Sequence, residues 1–201
     1  MDKIIDAIKK LVEPNKTVII GIDGLGGSGK STISEVIKNT LINDDINTVL
    51  LHIDDFIHPR NVRYNENYEE WECYKYLQWR YDYLIKEIIK PVKKGRAFSG
   101  KIEIYDKEND TYIMQDLEIP LGTVVIIEGI FLQRKELAGI FDYMVYIDVS
   151  EKERLERVIK RDSYIGDEGQ IRKKYENRYF PAERKYTDSY SPRDNADIVI
   201  K

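Results

Sequence analysis

The chain has little of several features that define specialised protein classes. Its 201 residues include one cysteine, Cys73, so it can form no internal disulfide and we expect a reducing compartment. No apolar run approaches the roughly 20 residues that a membrane span needs. The N-terminal residues have the pattern of an amphipathic helix rather than of a signal peptide. These absences predict a cytoplasmic protein that has no membrane partner.

An excess of one charge is also missing. Lys and Arg number 32 against 36 for Asp and Glu, which gives a formal net charge of -4. General nucleic-acid binding depends on a strongly basic surface, so we do not expect a nucleic acid as a partner. The length favours a single domain over residues 1–201 that buries its own core.

One stretch stands out, the eight residues from Gly24 to Ser31. It fits the spacing G-x-x-x-x-G-K-[ST] of phosphate-binding loops, and it lies between a β-branched run and a helical pattern. Glycines let successive N–H groups surround phosphate oxygens, and the helix N-terminus adds unpaired N–H groups. Lys30 would reach the β- and γ-phosphates, and Ser31 would bind Mg²⁺. The predicted nucleotide contacts are Gly24, Gly26, Gly27, Ser28, Gly29, Lys30, Ser31 and Thr32.

Apolar patterning predicts the elements around this loop. Core strands are expected at 17–22, 48–53, 123–127, 143–148 and 197–200, with a β-hairpin at 101–104 and 111–117. Helices are expected at 2–12, at 32–41, from Glu69 to Lys90 with a stop at Pro91, and at 170–186 with a break or kink near Pro181. The alternation predicts an α/β fold, an open and mostly parallel sheet of about five strands with helices on both faces.

Acidic residues follow two of the predicted core strands. Asp54 and Asp55 come after the second strand, and Glu128 ends the third. Ligands of open α/β sheets lie beyond the carboxyl ends of the strands, where a carboxylate can act as a base or bind a metal ion. The alternative is a helix cap, a turn or a solvent-facing side chain. Their position beside a phosphate-binding loop favours function.

Three arginines lie on one helix after the fourth core strand. Arg154, Arg157 and Arg161 are spaced i, i+3 and i+7 and share a face. Such a row could neutralise a phosphoryl group in transit. It could also be a solvated face, which i,i+4 pairs such as Glu153–Arg157 support, and spacing alone slightly favours the solvated face.

Taken together, these motifs give the chain a resemblance, almost end to end, to the uridine kinase and phosphoribulokinase family of P-loop kinases. The segments that carry it are Gly21–Thr32, Asp54–Phe56, Ile127–Leu132, Arg154–Asp162 and Ala196–Ile200. The resemblance implies a P-loop nucleoside-kinase-like fold, with an acceptor-side excursion at about 56–118 and a lid at about 154–170.

The resemblance also implies residue roles. Asp54 would accept the proton of the substrate hydroxyl, while Lys30, Arg157 and Arg161 would steady the transferring phosphoryl group. Ser31 and Glu128 would hold Mg²⁺, directly or through water. The remaining implied contacts are Phe56, Tyr105 and Arg154 for the acceptor, and Arg193, in the loop 191–195, for the adenine of ATP.

Several positions depart from the family pattern. Ile57 stands where uridine kinases carry a tyrosine, residues 107–110 include no histidine, and Lys174 replaces an expected glutamine. The resemblance implies ATP-Mg²⁺-dependent phosphorylation of a small-molecule hydroxyl, with a nucleoside as the favoured acceptor. A sugar or pantothenate-like acceptor, a nucleotide-binding regulatory protein and a hydrolase acting on water are the alternatives. The sequence leaves open the acceptor, ATP against GTP, the oligomeric state (a homo-oligomer included), and whether Asp54 or Asp55 is the base.

Overall fold

Seven strands form two sheets in the computed structural model, which describes all 201 residues. The strands are β1 (Val18–Gly24), β2 (Thr48–His52), β3 (Phe98–Asp106), β4 (Thr111–Ile119), β5 (Val124–Gly129), β6 (Tyr143–Ile147) and β7 (Ile198–Ile200). Five of them form one sheet in the order β2-β5-β1-β6-β7, and every neighbouring pair in it is parallel. The other two form an antiparallel hairpin. The predicted α/β class, the parallel sheet and the hairpin are confirmed.

Helices of very different length connect these strands. They are α1 (Asp2–Leu11), α2 (Lys30–Asn43), α3 (Arg60–Arg63), α4 (Glu70–Glu72 and a π-helical Cys73–Leu77), α5 (Tyr81–Tyr83, a π-helical Leu84–Ile89 and Lys90–Lys93), α6 (Glu151–Arg161) and α7 (Glu168–Lys174, a π-helical Tyr175–Tyr179 and Phe180–Tyr190). None of these helices combines the length and the apolar character that crossing a membrane requires.

The sheet is buried on both faces. Alternate side chains of its central strands point to opposite faces, and each face is covered by its own core. Ile19 of β1 and Val125 of β5 belong to a core of 25 buried residues on one face. Their neighbours Ile20 and Val124 belong to a core of 12 buried residues on the other face, which includes the apolar stripe of α1. This burial explains the nearly continuous apolar runs of the central strands.

The single helix expected between Glu69 and Lys90 is wrong, because the structure has two helices with a break at 78–80. The backbone there pairs with the segment that follows β2. The Arg80 N–H donates to the Phe56 carbonyl at 2.8 Å, and the His58 N–H donates to the Gln78 carbonyl at 2.9 Å. Apolar periodicity continues across the break, so the pattern gave no sign that these backbone groups are used in tertiary hydrogen bonds.

The expected stop at Pro91 is also wrong, since α5 continues through it to Lys93. A π-helical stretch, Leu84–Ile89, lies directly before it, and Pro91 falls in the first turn of the α-helical segment that follows. Proline is tolerated in a first turn because its missing N–H has no helical partner there. Pro181 in α7 follows the same arrangement, so that helix changes its winding instead of ending.

The packing of Gly129, the last residue of β5, generates a prediction. A Cβ added there would lie 2.8 Å from the Ile53 Cβ, and closer still to the Ile53 Cγ2. We expect Gly129→Ala to lower the free energy of unfolding by about 1–3 kcal/mol, as overpacking of a tight core does. Gly100→Ala is the matched control, because its added Cβ would come no nearer than 3.8 Å to another group. Urea unfolding of both variants tests this, and equal stability losses would contradict it.

Candidate active site

The phosphate-binding loop connects β1 to α2, and its backbone presents free donors. Gly29 has a φ of 95°, a left-handed conformation that turns the chain into the first helical residue, Lys30. Several N–H groups of the loop and of the first turn of α2 make no hydrogen bond within the protein. They are those of Gly27, Gly29, Lys30, Ser31 and Thr32. Unpaired N–H groups at a helix N-terminus favour an anion there.

Lys30 lies at the start of α2 among acidic side chains. Its Nζ donates to the Leu25 carbonyl at 3.2 Å. Burial lowers the pKa of Lys30, while the charges of Glu128, Asp23 and Asp54 act to raise it. The lysine therefore provides the positive charge that offsets these carboxylates next to the loop.

Glu128 joins the loop to the end of β2. Its Oε1 accepts from the Ser31 hydroxyl at 2.9 Å and lies 2.6 Å from the His52 Nδ1. Burial alone would raise the pKa of Glu128, but the His52 hydrogen bond, the Lys30 charge and the Ser31 hydroxyl hold it below its ordinary value. The structure thus brings together Ser31 and Glu128, the two residues predicted to hold a metal ion. His52 was not identified from the sequence.

Asp54 and Asp55 lie in a short 3₁₀ turn, Ile53–Asp55, directly after β2. Asp54 is exposed, and its Oδ1 accepts a long hydrogen bond of 3.4 Å from the Trp79 Nε1. Burial raises the pKa of Asp55, and the negative charge of the neighbouring Asp54 raises it further. The charge of Asp54 is among those that act to raise the pKa of Lys30, which favours Asp54 as the carboxylate on the phosphate side.

The three arginines of α6 have three different environments. Arg154 is 3% exposed and bonds to Glu183. Arg157 donates from its Nη1 to the Ser28 carbonyl of the loop at 3.3 Å. The Arg161 Nε lies 2.6 Å from Asp162. The shared helical face therefore exists, but only Arg154 and Arg157 contact the phosphate-binding loop.

Two buried carboxylates beside the loop were missed by sequence reasoning. Asp23, the residue before Gly24, is fully buried and accepts hydrogen bonds from the Gly24 N–H, the Gln133 amide and the Tyr186 hydroxyl. Glu183 of α7 accepts from the Gly26 N–H at 2.8 Å. Asp23 could have been found from its place at the end of a predicted strand, whereas nothing local marks Glu183.

On the acceptor side, the hydroxyl of Tyr105 is already bonded within the protein. It donates to the Asp110 Oδ1 at 2.6 Å and accepts from the Arg63 Nη2 at 2.9 Å. Asp110 is the last residue of the hairpin turn 107–110 between β3 and β4. Phe56 is 1% exposed and packs in the larger core, so its ring is part of the interior that lies under the acceptor side. The acceptor roles of Phe56 and Tyr105 stay predictions.

The loop 191–195 lies between α7 and β7 and is tied to the phosphate side. The Pro192 carbonyl accepts from the Gln133 amide at 2.8 Å, and the same amide donates to Asp23 at 3.2 Å. Arg193 is largely exposed, with its Nε 3.4 Å from Asp148. The adenine contact of Arg193 stays a prediction.

Comparison with known proteins agrees with this geometry. The family model described as "Phosphoribulokinase / Uridine kinase family" matches residues 19–201. The chain belongs to the phosphoribulokinase/uridine kinase family. A uridine kinase of Staphylococcus haemolyticus is 27% identical over 91% of this chain and 91% of that protein. A uridine kinase of Staphylococcus aureus is 28% identical over 92% of this chain and 87% of that protein.

Solved structures extend the comparison. A structure from Bacillus stearothermophilus, described as a possible uridine kinase, has a TM-score of 0.80 and 30% identity, and covers 100% of this chain and 96% of that chain. A D-glycerate 3-kinase from Cryptococcus neoformans shares the fold, with a TM-score of 0.58 at 13% identity over 83% of this chain and 78% of that chain. The chain is thus a uridine kinase-like P-loop kinase, an ATP-dependent enzyme that acts on a small molecule.

The buried network at Asp23 generates a prediction on stability. Tyr186→Phe removes one of the donors that satisfy this carboxylate, so we expect it to lower the free energy of unfolding by about 1–3 kcal/mol. Tyr190→Phe is the matched control, since its ring packs on Tyr186 but its hydroxyl makes no hydrogen bond in the protein. Urea unfolding at neutral pH measures both, and a loss of the same size in Tyr190→Phe would count against the network.

Proposed function

We propose that the chain transfers the γ-phosphoryl group of ATP to a hydroxyl of a small molecule, with a nucleoside as the favoured acceptor. One observation carries the proposal: the free N–H groups of the loop, Lys30, the Ser31–Glu128 pair and Asp54 lie together at the carboxyl ends of β1, β5 and β2. The uridine kinase relatives, which match over about nine-tenths of the chain, support the choice of nucleoside.

Phosphate binding would depend on the loop backbone and two cations. The unpaired N–H groups supply donors that need no rearrangement, and Lys30 adds a charge beside them. The Arg157 Nη1, now 3.3 Å from the Ser28 carbonyl, is on the loop side of α6. Positioned donors and charges supply most of the rate in phosphoryl transfer, because the protein itself contributes little covalent chemistry.

The side chains at Ser31 and Glu128 fit a magnesium ion. Mg²⁺ prefers oxygen ligands and binds through one or two carboxylates together with substrate phosphates. A hydroxyl and a carboxylate oxygen 2.9 Å apart, next to the phosphate-binding loop, match that requirement. When bound, the ion would neutralise charge on the phosphate oxygens. His52, 2.6 Å from the same carboxylate oxygen, would fix the orientation of Glu128.

Asp54 would act as the base for the acceptor hydroxyl. It is exposed, so an acceptor can reach it, and it is close enough to Lys30 for the two charges to interact. Its partner Trp79 holds one oxygen with a long hydrogen bond and leaves the other oxygen free. A base must lie within hydrogen-bond reach of the proton that it accepts, and the exposed Asp54 carboxylate, with one oxygen unpaired, is open to an acceptor hydroxyl.

A non-nucleoside alcohol is the second candidate acceptor, and a specific observation favours it. The Tyr105 hydroxyl donates to Asp110 and accepts from Arg63, so its only hydrogen-bond donor is already used and is not available to a nucleobase. Ile57, at the position of the family's tyrosine, is 4% exposed and lies in the core. The phosphate chemistry is unaffected by either difference, so the two candidates differ only in the acceptor.

The base assignment is tested with Asp54→Asn and its neighbour Asp55→Asn. We expect Asp54→Asn to lower acceptor-dependent ADP release by about 10²–10⁴-fold, the usual contribution of a general base, and to keep ATP binding. Asp55→Asn should lose less than about tenfold, because the proposal assigns the base to Asp54 and the Asp55 side chain is the less exposed of the two. The assay measures ADP release from ATP-Mg²⁺ with nucleosides, sugars and vitamin alcohols. Full turnover in Asp54→Asn would refute the assignment.

The same assay decides between the acceptors. Stimulation by uridine or cytidine supports the nucleoside proposal, and stimulation only by a sugar or vitamin alcohol supports the second candidate. Equal ADP release with and without every acceptor would instead indicate hydrolysis by water. ATP binding with no turnover would favour a regulatory protein.

The metal site is tested by Ser31→Ala. We expect this variant to need a higher Mg²⁺ concentration for half-maximal turnover and to lose about tenfold or more in kcat/KM for ATP. Ser34→Ala is the control on the same helix, because the Ser34 hydroxyl bonds to the Lys30 carbonyl within α2. Turnover is measured against Mg²⁺ concentration, and identical curves for Ser31→Ala and the wild type would argue against a role for this hydroxyl.

A further inference from the structure

A buried ion pair links the lid helix to the C-terminal helix directly beneath the phosphate-binding loop. The Arg154 Nη1 of α6 lies 2.8 Å from the Glu183 Oε2 of α7. The two side chains are 3% and 2% exposed, which makes this the most deeply buried ion pair of the structure. Burial raises the pKa of Glu183, and the Arg154 charge acts in the opposite direction.

Both members of the pair also bind one residue of the loop. The Glu183 Oε1 accepts from the Gly26 N–H at 2.8 Å, and the Arg154 Nη1 donates to the Gly26 carbonyl at 2.9 Å. The N–H and the carbonyl of Gly26 are thus both hydrogen-bonded by this ion pair. The N–H groups of Gly27 and Gly29, by contrast, make no hydrogen bond in the protein.

The packing around Gly26 and Gly27 also shows close contact of the loop with α6 and α7. A Cβ added at Gly27 would lie 2.7 Å from the Val158 Cγ1 and 2.9 Å from the Arg154 carbonyl. A Cβ added at Gly26 would lie 3.0 Å from the Glu183 Oε1. The part of α6 from Arg154 to Val158 therefore packs against the loop backbone without room for a side chain between them.

We propose that Arg154 and Glu183 are positioning residues for nucleotide binding: together they fix the Gly26 peptide and so preset the loop whose free N–H groups receive phosphate. This gives Arg154 a role on the loop in place of the acceptor contact that the family resemblance implies. An apolar pair of similar size would be at least as stable in a buried position, so the two bonds to Gly26 are what distinguishes this pair from a simple contact between helices. The inference rests on the proposed function only in taking a nucleotide as the ligand of the loop.

The test compares Glu183→Gln with Glu136→Gln. Glu183→Gln removes the charge that pairs with Arg154 and weakens the acceptor of the Gly26 N–H. Glu136→Gln is the matched control, because it removes the partner of another buried arginine, Arg134, whose ion pair lies 2.8 Å apart and does not contact the loop. Both variants should lose stability, so stability alone cannot distinguish them.

The distinguishing measurement is ADP-Mg²⁺ affinity by titration calorimetry. We expect Glu183→Gln to bind ADP at least about tenfold more weakly and to raise KM for ATP by a similar factor, with kcat and the acceptor KM within about threefold, as loss of uniform binding predicts. Glu136→Gln should bind ADP within about twofold of the wild type. A folded Glu183→Gln protein with wild-type ADP affinity would overturn the proposal.

Two further measurements cover the case in which Glu183→Gln does not fold. Arg154→Lys keeps the charge but supplies one ammonium in place of the fork that reaches both Glu183 and Gly26, so it should also weaken ADP binding. In the nucleotide-free wild type, the Gly26 amide should exchange its hydrogen at least about tenfold more slowly than that of Gly27. Equal exchange of the two amides would overturn the proposal. Wild-type protein that binds ADP but phosphorylates no acceptor would refute the proposed function and leave this inference intact.

Discussion

The position of β5 between β1 and β2 is the constraint on which the site depends. Parallel pairing sets Glu128 opposite Ile22 on one side and His52 on the other. The three strands therefore end at one level, where the loop after β1, the carboxylate of β5 and the acidic turn after β2 meet. The Ser31–Glu128 and His52–Glu128 hydrogen bonds follow directly from this register. A slip of one residue would point Glu128 to the opposite face and separate these groups.

The electrostatics of the site follow from the same convergence. Lys30 lies within the influence of the carboxylates Glu128, Asp23, Asp54 and Glu183, although the ligand of the loop is itself an anion. Two of these carboxylates are already compensated within the protein: Glu183 by Arg154, and Asp23 by neutral hydrogen-bond donors. Glu128 and Asp54 are the carboxylates to which we assign the metal ion and the acceptor, and Asp54 accepts only one long hydrogen bond, from Trp79. The carboxylates that are compensated inside the protein are thus distinct from the two to which we assign functional roles.

The sequence predicted the parts of the fold and site that depend on local spacing. The loop, the strands and Ser31, Glu128 and Asp54 are found from motif spacing and from their place at strand ends. Glu183 could not be predicted, because it meets Gly26 across 157 positions and its surroundings resemble any helix. The predicted helix end at Pro91 was wrong for a related reason. A π-helical stretch before Pro91 places the proline in a first turn, where it does not break the helix, and composition does not reveal that stretch.

The middle of α6 and its C-terminal end have different surroundings. Arg154 and Val158 contact the loop and α7 from the middle of the helix, so the whole helix cannot move away without exposing a buried ion pair. Arg161 and Asp162 lie at its far end, followed by a 3₁₀ turn with the largely exposed Tyr164. If the predicted lid closes over a substrate, we expect the movement to be confined to residues 163–170, which contain no buried residue, since Asp162 before them is itself buried and bonded to Tyr175. We expect a lid anchored in this way to keep the phosphate-binding loop in place while residues 163–170 stay free to move toward an acceptor.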